Sequence, residues 1–182
     1  MEEYNEFVGR LMGCLAVSGL DYAFTGALAV SFYGSPRTTS DIDIIVAVGA
    51  QSEVKKKLMA ALQCADVKAQ ERKIDQALAS GFKIASFKDK TTPYTIDIIF
   101  QESLEKQTGQ IAGVTAYLQK PEALINAKLR MIKATIPPER ATKDKEDIQA
   151  ILAFTKVDLE AVKRQAKKDK TTHILDNLTG PS

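Results

Sequence analysis

The chain has 182 residues, of which 45% are hydrophobic and 26% are charged, and its formal net charge is +2. This balance excludes a disordered or fibrous protein, and no apolar stretch approaches the length that a bilayer crossing requires. The first ten residues are acidic before they become apolar, the reverse of a secretory signal, so we expect a cytoplasmic protein that does not bind membranes.

Cysteine and histidine are scarce, which limits the chemistry that the chain can perform. Cys14 and Cys64 are the two cysteines, and neither has a Cys or His neighbour at zinc-binding spacing. We therefore expect two buried, reduced thiols. The single histidine, His173, lies near a polar C-terminus, which argues against a Ser-His-Asp or Cys-His active site.

The first half of the chain is predicted to alternate between helices and strands. Phe7, Leu11 and Leu15 recur at helical spacing and predict a helix over 2–19 that Gly19 ends. The following elements are a strand at 21–24, a helix at 27–33, a strand at 41–48, helices at 52–63 and 70–80, and strands at 82–87 and 94–100. Ser52 is expected to cap the helix at 52–63.

The second half is predicted to become helical. A short helix is expected soon after residue 100, and then a strand at 114–118. Pro121 suits the first position of a helix at 121–134, a second helix follows at 141–154, and Asp158 caps a third that reaches about residue 168. Residues 171–182 are expected to fray.

This order of elements predicts an α/β (α+β) fold, in which a mixed sheet is flanked by helices. We expect residues 1–120 to form the core, and residues 121–182 to form a C-terminal helical part packed on it in one compact unit.

Two strands carry acidic residues at matching places. Side chains alternate across a strand, so Asp41 and Asp43 of DIDIIV point to one face. Asp97 lies in the similar strand TIDIIF, and the three carboxylates converge if these strands are neighbours. Oxygen ligands of this kind suit Mg²⁺ or Mn²⁺, completed by nucleotide phosphates, so we predict a metal site at Asp41, Asp43 and Asp97.

The segment before the first acidic strand is a candidate phosphate-binding turn. Gly26 follows a strand and precedes a helix, so its backbone can approach a ligand closely. The N–H groups at the start of the Ala27 helix are then available for a triphosphate. Arg37 and Ser40, in the loop leading to the acidic strand, complete the predicted nucleotide-binding residues upstream of the acids.

These residues resemble a known family. TGALAVSFYGSPRTTSDIDIIV, with TIDIIF downstream, resembles the nucleotidyltransferase superfamily of the DNA polymerase β type. The R-T-T-x-D-I-D-I spelling is similar to minimal nucleotidyltransferases and to AbiEii-type toxin proteins. The helices NAKLRMIKA and ERATKDKEDIQAIL resemble the C-terminal helices of that group. The likeness covers about residues 20–152.

The resemblance implies a nucleotidyltransferase-like sheet and a Mg²⁺-dependent transfer of a nucleoside monophosphate from an NTP to a hydroxyl of RNA, protein or a small molecule. It implies that Asp41 and Asp43 bind metal and phosphates, and that Asp97 is a third ligand or the base. Lys128 would contact the nucleotide or the developing charge. A toxin-like role with an antitoxin partner is also consistent with it. Ala27 stands where the family often has Gly or Ser, so a serine hydroxyl to the phosphate is missing.

Plainer interpretations remain open. Gly26 also suits an ordinary turn, Lys128 a solvated helix face, and the acids near Lys143 a role in helix stabilisation or binding to Arg140. Two further functions compete with the enzyme, namely a catalytically inactive module that binds nucleotide or RNA and a scaffold that binds neither. The chain also has two basic runs, Lys55–Lys57 and the set Lys163, Arg164, Lys167, Lys168 and Lys170. Such runs more often form solvated helix faces than surfaces that bind polyanions.

Overall fold

A computed structural model describes most of the chain. The described residues are 2–34, 36, 39–81, 83–111 and 113–180. The chain divides into two compact units, each with its own core. The first unit comprises Met1–Leu28 and Thr38–Gln119, and the second comprises Ala29–Arg37 and Lys120–Ser182.

The first unit is built on a six-stranded mixed sheet. Its strands are β1 Tyr22–Phe24, β2 Asp41–Ala47, β3 Ile84–Lys88, β4 Thr95–Gln101, β5 Lys106–Ile111 and β6 Val114–Gln119. They lie in the order β3-β4-β2-β1-β6-β5. The pairs β2–β4 and β1–β6 are parallel, and the other neighbouring pairs are antiparallel. The prediction of a mixed sheet flanked by helices is confirmed.

Four helices belong wholly or in part to this unit among the described residues. They are α1 Glu2–Ala16, α2 Gly26–Tyr33, α3 Gln51–Cys64 and α4 Glu71–Ala79. α1 buries Phe7, Leu11 and Leu15, as its spacing predicted. β2 and β4 add Ile42, Ile44, Ile96 and Ile98, all fully buried, to the core. Burying apolar side chains of this size stabilises a fold by about 1.5–3 kcal/mol each.

The prediction of reduced thiols is wrong. Cys14 of α1 and Cys64 of α3 form a disulfide, with their Cα atoms 5.9 Å apart. The two helices pack against each other, which brings together cysteines that are 50 residues apart in the sequence. Sequence spacing alone does not reveal such a contact.

The second unit is a group of packed helices. They are α5 Pro121–Ala134, α6 Thr142–Phe154, α7 Leu159–Asp169 and α8 Thr172–Thr179, with a 3₁₀ turn at Pro138–Ala141. Pro121 opens α5, and the Asp158 carboxylate caps α7 by accepting a hydrogen bond from the backbone N–H of Ala161 at 3.0 Å. Both features were predicted. Leu129, Ile151, Val162 and Leu175 are fully buried, so each main helix contributes to this core.

Three local predictions are wrong. The region after residue 100 forms β5, not a short helix, because it pairs along its length with β6. Residues 172–179, which were expected to fray, form α8 and bury Leu175. Ala50, not Ser52, is the N-cap of α3, and it makes no side-chain capping bond.

No helix among the described residues combines the length and the apolar character that a bilayer crossing requires.

Candidate active site

The two acidic strands are direct neighbours. β2 and β4 run parallel with Asp43 opposite Asp97 and Asp41 opposite Thr95. Neighbouring strands lie about 4.8 Å apart, and aligned residues point to the same face. The strand alternation buries Ile42 and Ile44 on the other face. The sheet therefore places the predicted acids together on one face of the first unit.

Two hydroxyl groups donate hydrogen bonds to the carboxylate of Asp41. The Oγ1 of Thr95 donates a hydrogen bond to Oδ1 of Asp41 at 2.6 Å. Ser40 Oγ donates to the same oxygen at 3.1 Å, so this predicted nucleotide-binding residue contacts Asp41. Asp41 is exposed, whereas Asp43 and Asp97 are partly buried. Neutral donors orient this carboxylate without cancelling its charge.

Gly26 lies directly against the second acid. Its φ is +57°, in the left-handed region that favours glycine, and a Cβ built on it would stand 1.9 Å from Oδ2 of Asp43. The backbone N–H of the preceding Thr25 donates to the Asp43 carbonyl at 2.9 Å. The turn that opens α2 thus packs on the Asp43 side chain, and no other residue type fits there without displacement.

The structure describes only one of the two remaining upstream candidates, Ala27 and Arg37. Ala27 is buried in the first turn of α2. A buried methyl group here leaves the backbone as the source of polar contacts to a phosphate. Arg37 lies outside the described residues.

Lys128 belongs to the second unit, where it is buried in an ion-pair cluster. Its ammonium lies 2.9 Å from Asp144 Oδ1 and 2.7 Å from Asp147 Oδ2. Only 5% of the residue is exposed, so it is not a solvated lysine. α5 and α6 pack together, and the two acids of α6 meet Lys128 because they are one helical turn apart.

An aromatic group was missed by the sequence analysis. Tyr94 precedes β4, and its ring stacks on Phe7 at 5.5 Å and meets Tyr4 edge-on at 5.2 Å. Burial, then the nearby Tyr94 hydroxyl and the Asp43 carboxylate, raise the pKa of Tyr4. Tyr4 is the third residue of α1, and no pattern in the sequence links it to the acids.

The donor set suits a divalent cation, but the acids do not form a closed cage. Within the described ranges, no three His, Cys, Asp or Glu side chains are grouped closely enough to hold a metal ion. Mg²⁺ is commonly bound through one or two carboxylates together with substrate phosphates, and Asp43 and Asp97 on one face fit that arrangement. Charge repulsion between such carboxylates is relieved when a cation lies between them.

No family model and no curated protein matches the sequence of the chain. Comparison with solved structures does find matches. A solution structure of the antibiotic-resistance factor ANT(2″)-Ia matches with a TM-score of 0.67 at 14% identity over 97% of both chains. A crystal structure of ANT(2″)-Ia in complex with adenylyl-2″-tobramycin matches with a TM-score of 0.65 at 14% identity, over 91% of this chain and 96% of the other.

An antigenic nucleotidyltransferase-like protein from Paracoccidioides brasiliensis has the same fold. Its TM-score is 0.57 at 13% identity, and the match covers 95% of this chain and 91% of that one. At identities this low the likenesses establish a shared fold and leave the chemistry to be argued from the site.

Proposed function

We propose that this chain, which has a nucleotidyltransferase fold, transfers a nucleoside monophosphate from an NTP to a hydroxyl acceptor. The observation that carries the proposal is the in-register pair Asp43 and Asp97 with Gly26 packed against it. Paired carboxylates on one face and a glycine turn at a helix start are the parts that phosphoryl-transfer sites need.

Each residue has a role in this scheme. Asp43 and Asp97 would hold Mg²⁺ or Mn²⁺, with Asp41 as the third acidic residue. The bound cation supplies charge neutralisation at the phosphates. The acceptor oxygen would bond to the α-phosphorus as the bond to pyrophosphate breaks, and Asp97 would take the hydroxyl proton if it acts as the base and not as a metal ligand. Gly26 and Ala27 would shape the turn that faces the phosphates, and Arg37, Ser40 and Lys128 are the remaining candidate nucleotide contacts.

The first test measures nucleotide binding. Thermal unfolding is followed with each NTP, with and without Mg²⁺, for wild type and Asp43→Asn. A ligand at a hundred times its Kd stabilises the protein by about 2.7 kcal/mol, and we expect this shift in wild type and its loss in the variant. Asp66→Asn is the matched control, because Asp66 is an exposed acid of the same unit. Absence of a shift with every NTP would overturn the proposal.

The second test measures transfer. Wild type and Asp43→Asn are incubated with Mg²⁺ and α-³²P-labelled NTP in the presence of total RNA, a protein extract or a small-molecule extract. We expect label in one fraction with wild type only. The alternative function, a catalytically inactive module that binds nucleotide or RNA, is favoured by Ala27, which offers no side-chain hydroxyl to a phosphate. That alternative predicts a thermal shift without label transfer to any fraction.

The toxin-like role that the sequence resemblance implies is a separate part of the proposal. Expression of wild type should arrest growth of the host while Asp43→Asn should not, and an antitoxin partner should restore growth. Equal growth with both forms counts against this role.

Residence in the cytoplasm also needs a test, because disulfides such as Cys14–Cys64 persist mainly in oxidising compartments. Trapping free thiols with an alkylating reagent in intact cells reports which state is present.

A further inference from the structure

The two units carry opposite charge. The first unit has 11 Lys and Arg residues against 14 Asp and Glu, and the second has 14 against nine, which together account for the 25 basic and 23 acidic residues of the chain. The small net charge of +2 therefore hides a second unit with a formal charge of +5 at neutral pH.

Much of this positive charge lies on one side of α7. Val162 and Ala166 are fully buried, and the exposed residues recur one turn apart on the other side of the helix. Lys163 in this exposed row pairs with Glu160 at 2.9 Å. The row continues with Arg164, Lys167 and Lys168, and we call these three the basic face.

The basic face differs from the other lysine run of the chain. In α3, Lys55 pairs with Glu71 and Asp75 at 2.9 Å each, and Lys57 pairs with Glu53 at 2.7 Å. In the part of the chain that the structure describes, Arg164, Lys167 and Lys168 form no ion pair. The α3 run is thus largely neutralised by carboxylates, and the basic face is not.

The acid at the last position of α7 already has hydrogen-bond partners. The carboxylate of Asp169 accepts hydrogen bonds from Arg130 at 2.7 Å and from Gln165 at 2.9 Å. The Asp169 carbonyl accepts another from the ammonium of Lys133 at 2.9 Å. Lys133 and Lys170 therefore add positive charge beside the basic face.

The positive surface continues into a neighbouring groove. Lys133 also lines an open cavity of about 510 Å³ in the second unit, together with Lys145 and His173. No Asp or Glu occurs among the described residues that line it. Cations in the last turn of α7 also interact favourably with the helix dipole, but this does not account for Arg164 or for the groove.

We propose that the basic face of α7 binds the phosphodiester backbone of a nucleic acid. Neighbouring cations without carboxylate partners release counterions from a polyphosphate chain, and this release drives association. The inference assigns nucleic-acid binding to residues that the proposed function does not use, and it requires neither a nucleotide nor catalysis.

The test measures binding of a fluorescein-labelled 20-nucleotide single-stranded RNA, and of DNA of the same sequence, by fluorescence anisotropy. The full chain is used in EDTA without NTP, over a series of KCl concentrations, so the result does not depend on the acidic site. Each phosphate contact with a single strand adds about 0.7 to the slope of log K against log salt. We expect R164Q/K167Q/K168Q to reduce that slope by about 2 and to weaken binding at low salt at least about tenfold.

Two further variants make the result specific. K55Q/K56Q/K57Q removes the same formal charge from the neutralised α3 run and should leave the slope nearly unchanged. R164K/K167R/K168R keeps the charge and should keep the binding, while circular dichroism shows whether each variant is folded.

Binding of RNA and DNA alike supports recognition of the shared backbone, and a preference for RNA adds a contribution from the 2′-hydroxyl. Equal losses in the two glutamine variants would show an effect of net charge alone and would overturn the proposal. Binding to polyglutamate with no binding to either nucleic acid would overturn it as well.

Discussion

Two groups of aspartates in this protein differ in what surrounds them. In the second unit, Asp144 and Asp147 lie against the ammonium of Lys128. In the first unit, Asp41 accepts hydroxyl hydrogen bonds, and Asp43 lies against the backbone of Gly26. A lysine at ion-pair distance cancels carboxylate charge, whereas a hydroxyl orients a carboxylate and leaves its charge in place. The comparison indicates that the helix acids stabilise the fold, whereas the hydroxyls beside Asp41 orient its carboxylate and leave its charge in place.

The largest effect is expected from breaking the helix cluster. Lys128→Met leaves two carboxylates together in a buried setting, which should lower the free energy of unfolding by about 3–5 kcal/mol. Urea unfolding at neutral pH measures this change. Lys143→Met, at an exposed position of the same unit, is the matched control and should stay within about 0.5 kcal/mol of wild type.

A charge-free triple variant then tests what Lys128 does. In Lys128→Met/Asp144→Asn/Asp147→Asn, much of the lost stability should return. If this folded variant still shows the Mg²⁺-dependent NTP shift, Lys128 acts on the fold. A loss of less than about 1 kcal/mol in Lys128→Met would contradict the buried ion-pair cluster.

An intermediate effect is expected at the strand acids. Gly26→Ala introduces a Cβ at positive φ, which costs about 1–2 kcal/mol, and it displaces the carboxylate of Asp43. A displacement of about 1 Å can lower the transfer rate about a hundredfold. Gly9→Ala is the control, because a Cβ there meets nothing within 4 Å, and alanine in a helix should stabilise the protein by about 0.5–1 kcal/mol. Normal activity in Gly26→Ala would separate Asp43 from the chemistry.

The smallest effect is expected at Asp89, a buried aspartate outside the two groups compared above. Burial acts to raise the pKa of Asp89, but hydrogen bonds from Thr92 and Thr91 outweigh it and hold the pKa below its usual 3.8. A lowered folded-state pKa stabilises the fold above the unfolded pKa, and this stability is lost as the pH falls through the folded value.

Thr91→Val removes the hydroxyl that donates to Asp89 Oδ2 at 2.9 Å. The folded pKa should rise towards 3.8, so the variant should be about 0.5–1.5 kcal/mol less stable at neutral pH. It should also lose less stability than wild type between about pH 5 and pH 2. Parallel acid-unfolding curves measured by circular dichroism would contradict this role.

The sequence predicted local patterns within an element better than the contacts between elements. The alternation in DIDIIV and TIDIIF placed Asp43 and Asp97 on like faces, and the sheet aligns them. β5 was misread because KQTGQI carries few of the β-branched residues that mark strands, and its pairing with β6 decides its conformation. α8 was misread because polar residues obscure Leu175, whose burial depends on packing with neighbouring helices.

Contacts between distant segments were the least predictable. The Lys128 cluster was missed because the partners of a charged side chain depend on helix packing, which a single helix does not encode. The same reason applies to the hydroxyl of Thr95 beside Asp41, which becomes visible only once the strands are paired in register. The roles of Asp41, Asp43, Asp97, Gly26 and Lys128 in chemistry stay predictions.

The bond between Cys14 and Cys64 changes the connectivity of the chain. A protease that cuts once anywhere between these residues leaves both fragments covalently attached. The cleaved protein would therefore migrate as one species in a denaturing gel until a reductant is added, and the segment carrying α1 would stay tethered to the sheet-bearing remainder after the cut.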